Sequence, residues 1–136
     1  MSSSFYTHDV CKLRTGWYYI LADSAKGCLK QLSKANKTYV VDPSPIVEQK
    51  DFANYKIYRN RDGLPGLAIY FDRIGTIAWA GATYRSIGLE LGFVLNDTLI
   101  STVRINSKIT EGVSSIMSPL LTEENLKDIL SVLLEK

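Results

Sequence analysis

Histidine is almost missing from this chain. Its 136 residues hold one, His8, close to the start. That removes the commonest general base, the serine-type triad and most metal sites from consideration. No G-x-S-x-G, no phosphate-binding loop and no G-x-G-x-x-G before a helix is present. Cys11 and Cys28 are the only cysteines, too few for a disulfide framework or an unaided four-ligand zinc site. One disulfide between them, or two separate thiols, both remain open. No apolar run approaches the ~18 residues a membrane helix needs. The first residues, MSSSFYTHDV, lack the apolar centre of a signal peptide. The net charge is +2 with both signs interspersed, which argues against a dedicated nucleic-acid or anionic-membrane surface.

What is present is an ordinary globular balance, 46% hydrophobic and 22% charged, in a length that suits one domain. Residues 1–15 read as a flexible tail and 16–136 as a single domain. Trp17 to Leu21 and Cys28 to Leu32 are strand-like runs, and the turn between them predicts a hairpin. Thr38 to Asp42 is a third short strand, which Pro43 and Pro45 are expected to stop. Asn54 to Asn60 and Gly66 to Phe71 follow as strands. Asp72 is a good helix N-cap. The helix after it should run to about Ile87, with Ile74, Ile77, Ala78, Gly81, Ala82 and Arg85 on its packed face. Leu89 to Leu95 and Thr98 to Ile105 flank Asn96-Asp97, a hairpin signature. Val113 to Met117 is a last strand. Thr122 caps a final helix with a stripe of Leu126, Ile129, Leu130, Leu133 and Leu134. The predicted class is α+β: a two-layer sandwich of a mainly antiparallel sheet with two helices on one face, a ferredoxin-like head plus an N-terminal hairpin region.

Chemistry has few candidates. Asp72, Glu90, Asp97 and Glu111 read as a cap, a solvated strand face, a turn and a loop rather than as paired catalytic acids. Asn36-Lys37-Thr38 and Asn96-Asp97-Thr98 match a glycosylation pattern but read as turns. The strands are rich in aromatics, among them Trp17, Tyr39, Tyr55, Tyr58 and Tyr70. Most of these should pack as core and cross-strand pairs, and the rest suggest a protein- or peptide-binding surface. We expect no enzyme, no cofactor and no metal.

The spacing Phe71, Gly75, Trp79, Thr83, Gly88 resembles the head portion of the large periplasmic domain of SecD, in the SecDF protein-export family. The order continues through LGFVLND at Leu91 to Asp97, a serine at Ser101, a turn ending in Gly112, and LTEEN at Leu121 to Asn125. The stretch from Phe71 to Gly112 is similar without a gap, and the rest loosely from about Tyr39. Phe71, Asp72, Gly75, Trp79, Thr83, Gly88 and Gly112 are structural members of this pattern. The family's Ala-Pro after the serine is replaced here by Thr102-Val103. The resemblance implies an extracytoplasmic, non-catalytic binding module, soluble or held by a lipid tether outside this sequence. It implies polypeptide or envelope-protein partners and a role accessory to export. Tyr55, Tyr58, Ser101 and Arg104 are the expected contact surface. The alternative is a homo-oligomeric structural protein with no export role.

Overall fold

A computed structural model describes residues 11–23 and 26–135. Eight strands and two helices run in the order β1 (Gly16–Leu21), β2 (Cys28–Gln31), β3 (Thr38–Glu48), β4 (Phe52–Arg59), β5 (Pro65–Phe71), α1 (Arg73–Arg85), β6 (Glu90–Leu95), β7 (Thr98–Arg104), β8 (Val113–Ile116), α2 (Glu123–Glu135). The class is α+β with antiparallel strand pairing, as expected. The strands form two sheets rather than one: β2-β3-β1-β6-β7 and β4-β5-β8. β1 and β2 do not pair with each other. β3 lies between them, so the expected hairpin is replaced by two pairings to a longer third strand.

That third strand passes through both prolines. β2 pairs with β3 only as far as Val41, so beyond Asp42 just one edge of β3 is occupied. A proline without an N–H is tolerated on a free edge, and the β1–β3 register shifts near Pro45 absorb the irregularity. The β6–β7 hairpin forms around Asn96 and Asp97, with φ of 47° and 72°, the pair of positive values a two-residue turn of this kind requires.

One core joins the two sheets. Trp17 from β1, Trp79 from α1 and Phe93 from β6 meet at centroid distances of 5.0 and 5.2 Å, and Phe71 stands edge-on to Trp79 at 5.6 Å. Leu126, Ile129 and Leu133 of α2 are buried in the same cluster. α2 opens on a reciprocal cap: Thr122 Oγ1 accepts from the Asn125 N–H and Asn125 Oδ1 accepts from the Thr122 N–H. α1 is turned differently from expectation. Its buried residues are Gly75, Trp79, Ala82 and Thr83, while Ile74 and Ile77 are 68% and 65% exposed. The large indole decides the rotation, because burying Trp79 removes more apolar surface than burying either isoleucine.

The described part of the expected tail lies against the fold. Cys11 is disulfide-bonded to Cys28, Leu13 is buried, and its N–H donates to Asp97 Oδ1 at 2.8 Å. Residues 1–10, including His8, lie outside the described residues.

Candidate functional site

The smaller sheet has one face in the core and one face open. β5 alternates between them: Leu67, Ile69 and Phe71 are buried in the core, while Ala68 and Tyr70 face the other way. The Cα register places Lys56, Ala68 and Ser115 in one row across the three strands, and Asn54, Tyr70 and Val113 in another. Along this face runs a groove of about 500 Å³, bounded by Tyr58, Tyr70, Val113 and Ser115 on the sheet. Trp79 of α1, together with Val103, Ile105 and Ile109, completes the lining. The walls are predominantly apolar, with a few polar groups from Lys56, Tyr58, Ser114 and Ser115, the usual make-up of a binding site.

The two tryptophans of the core differ in one respect. Trp17 Nε1 donates to Ser114 Oγ at 2.9 Å. Trp79 Nε1 is buried and has no acceptor, the single such side-chain atom among the described residues. An indole N–H left without a partner costs about 1–3 kcal/mol relative to a satisfied one. Trp79 lines the groove, but its Nε1 has almost no accessible surface.

The neighbouring backbone is held by side-chain bonds. Asp72 caps α1, accepting from Gly75 N at 2.9 Å. Thr83 Oγ1 donates to the Trp79 carbonyl at 2.9 Å and accepts from Ile109 N at 2.9 Å. That second bond fixes the Ile109 wall to the helix that carries Trp79. Gly112 has φ of +73°, accepts from the Phe71 N–H through its carbonyl at 2.9 Å, and a Cβ there would lie 2.3 Å from Thr76 Oγ1. Residues 71 to 112 therefore both frame the core and set the groove walls.

A family model described as "SecDF, P1 head subdomain" matches residues 26–136. The chain belongs to this SecDF P1 head family. No curated protein matches it. Among solved structures it is similar to SecDF in a super-membrane-facing form, with a TM-score of 0.68 at 17% identity, covering 98% of this chain and 20% of that one. It is also similar to a structure of SecDF, described as a membrane component that enhances protein export, with a TM-score of 0.66 at 17% identity, covering 98% of this chain and 68% of that one. A third, SecDF from Thermus thermophilus, described as a translocon-associated membrane protein, gives a TM-score of 0.53 at 23% identity over 66% of this chain and 13% of that one. This P1 head thus spans a fifth of the first of those chains. Among its described residues no helix is long and apolar enough to cross a membrane.

The four residues expected to form a contact surface are dispersed in this P1 head. Tyr58 borders the groove, its hydroxyl hydrogen-bonded to that of Ser115. Tyr55 alternates to the core side, half-buried and edge-on to Phe52, and burial pushes its phenol pKa up. Ser101 is buried, donating to the Thr102 carbonyl at 3.4 Å. Arg104 is exposed beside a separate shallow groove of about 300 Å³ with Ile20, Leu21 and Leu89. Sequence reasoning placed Tyr70 among the strand aromatics but gave it no site. It also missed Val103, Ile105 and Ile109, which carry no signal beyond apolarity. A third cleft, about 550 Å³ and lined by Lys12, Arg14, Glu48 and Asp97, is polar. Arg14 pairs with Glu48 at 3.3 Å, and Asp97 pairs with Lys30 at 2.7 Å.

Two carboxylates do approach each other. Asp51 sits beside Asp72, and its pKa is raised, by burial first and then by the Asp72 charge and hydrogen bond. Asp72 is already engaged as the α1 cap, so this pair reads as a helix start with an adjoining acid. Among the described residues no group of three or more His, Cys, Asp or Glu stands in metal-binding reach.

Proposed function

We propose that this P1 head is a non-catalytic, extracytoplasmic polypeptide-binding module, and that the groove on the open face of the β4-β5-β8 sheet is where the polypeptide lies. The observation that carries this reading is the predominantly apolar groove flanked by Tyr58 and Tyr70, with Trp79 and its buried, unpartnered N–H in the wall, where a small movement of the ring on binding would bring the donor to the surface. A main-chain carbonyl is the acceptor that every extended segment offers at regular intervals, whatever its sequence. β8 is an edge strand, so its outer backbone groups are available for the same segment. Apolar walls take up side chains without demanding a sequence, which suits binding of unfolded chains. The Cys11–Cys28 disulfide supports a location outside the cytoplasm, where such bonds persist. Family membership supports a role accessory to export.

The test uses the two indole resonances of the folded chain. Titrating with a reduced, unfolded protein should move the Trp79 N–H resonance and leave that of Trp17 in place. Trp79→Phe keeps a ring but removes the donor, and should weaken binding about fivefold, the loss of one ordinary hydrogen bond. Absence of saturable binding to any unfolded protein would end this reading. So would binding that shifts neither indole and survives Tyr58→Ala and Tyr70→Ser unchanged.

A further inference from the structure

Half of the ten exposed large hydrophobic side chains of the described structure lie within one short stretch: Ile74, Ile77, Tyr84, Ile87 and Leu89. On α1 the first three follow at i, i+3 and i+10, opposite the buried Trp79 and Ala82, and the helix is therefore apolar on both sides. A helix apolar all round is ordinarily enclosed. Here one side faces the core and the other faces outward. Of the five residues, only Leu89 borders any of the grooves described above. The outer side is thus a ridge, which suits a broad surface rather than a small ligand.

Its charge is mostly positive, with Glu90 bordering the groove beside Leu89 as the cross-strand partner of Arg104. No acidic residue occurs between Asp72 and Glu90, while Arg73 and Arg85 are both exposed on the helix. Lys108 extends over the Tyr84 ring, its Nζ 5.7 Å from the centroid, and Arg104 lines the groove beside Leu89. None of these four cations makes an ion pair among the described residues. A second copy docking through the same ridge would bring arginines against arginines, at a cost in either orientation. The complementary surface is apolar in depth and negative at its rim. We infer that the outer face of α1 is a docking surface for an anionic lipid bilayer, with Ile74, Ile77 and Tyr84 entering the interface and Arg73, Arg85 and Lys108 meeting the headgroups. This pattern is that of an interfacial helix, carried here on a folded domain. It is independent of the groove reading, since the two faces share no residue.

The experiment is sedimentation of the full chain with vesicles of phosphatidylcholine, with and without phosphatidylglycerol. Partition onto the phosphatidylglycerol vesicles, falling as salt rises, is the expected result. Arg73→Gln and Lys108→Gln should each lower the partition coefficient about fivefold. Ile74→Gln/Ile77→Gln should lower it at least about tenfold while the far-ultraviolet spectrum stays unchanged, because both side chains are already in solvent. Tyr58→Ala, a groove variant, should partition like the parent chain. The inference is overturned if the parent chain ignores phosphatidylglycerol vesicles, or if the double isoleucine variant partitions equally well. It is also overturned if vesicles are ignored while that variant abolishes a concentration-dependent dimer, or abolishes binding to an acidic amphipathic peptide. Those results would give the ridge to a second copy or to a protein partner.

Discussion

The two helices are of equal length and are built on different principles. α2 is polar on one side and apolar on the other, so its stripe of Leu126, Ile129 and Leu133 states which side is buried, although Leu134, expected in the same stripe, is exposed at the helix end. α1 has apolar residues all round, and its inner face is made of Gly75, Ala82, Thr83 and one large ring, Trp79. α2 spreads its attachment over Leu126, Ile129 and Leu133. α1 concentrates it in a single side chain and leaves two isoleucines in solvent. A helix needed only for packing would gain from the first plan. The second leaves an apolar face free and leaves the N–H of groove-lining Trp79 unsatisfied; both lower stability, and the free apolar face favours binding.

The largest effect should come from removing that ring. Trp79→Ala is expected to cost about 3–5 kcal/mol in chemical denaturation, and to loosen the groove wall because Thr83 ties Ile109 to the same helix. Leu133→Ala, one of three anchors in α2, should fall in the lower part of the range of about 2–5 kcal/mol for such truncations. A larger loss for Leu133→Ala than for Trp79→Ala would reverse the comparison. Next in size is Gly75→Ala. Its Cβ would stand 2.9 Å from Phe71 Cβ and 3.2 Å from Val47 Cγ1, so overpacking should cost about 1–3 kcal/mol despite the gain in helix propensity. A stabilised Gly75→Ala would mean that α1 is not held as close to the sheets as drawn here.

The same contrast explains what could be read from the chain. α2, the β6–β7 hairpin with Asn96-Asp97 and the Asp72 cap were legible because each depends on local pattern or turn chemistry. The family resemblance was legible because its glycines, cap and threonine sit at fixed intervals along one ungapped stretch. The rotation of α1 was not, since two apolar faces give a periodicity no preference and only the tertiary position of Trp79 decides. Passage of β3 through Pro43 and Pro45 was hidden too: whether a proline ends a strand depends on whether its N–H side has a neighbour, which is set by topology. The groove combines an open sheet face with residues far apart in sequence, such as Tyr58 and Ser115, 57 positions apart, whose hydroxyls meet. Of the expected surface residues only Tyr58 lies on it, because one-residue alternation sends Tyr55 to the opposite side of β4.

The start of α1 offers a smaller effect and a dependence on pH. Asp72→Ala should cost about 1 kcal/mol, the usual loss of a capping carboxylate, whereas Thr122→Ala at α2 should cost less because Asn125 keeps one of the two reciprocal bonds. Asp51 acts in the opposite sense. Its folded pKa lies above the unfolded value, so the folded state holds the proton more tightly and is penalised once pH rises through the ordinary aspartate range. Asp51→Asn should therefore raise the melting temperature at neutral pH, with the gain vanishing below about pH 3. A gain of the same size at both pH values would mean that packing, not charge, is responsible.

The smallest effect is also the sharpest. Ile74→Ser and Ile77→Ser lie on the helix whose core face is the more sensitive of the two, yet each should change stability by no more than about 0.5 kcal/mol. On an ordinary amphipathic helix, an isoleucine at such spacing would be a buried anchor and its loss would cost several times as much. The side chains here are already hydrated, so the substitution removes no buried surface and even lessens exposed apolar area. Thermal denaturation of each variant decides between the two pictures. A loss above about 2 kcal/mol at Ile77, in the range for buried aliphatic truncation, would show that α1 is rotated in solution and that Trp79 is not its sole anchor. A near-zero change, beside a large one at Trp79, leaves the outer isoleucines without a folding role, and their presence on the surface then calls for something outside the fold to meet them.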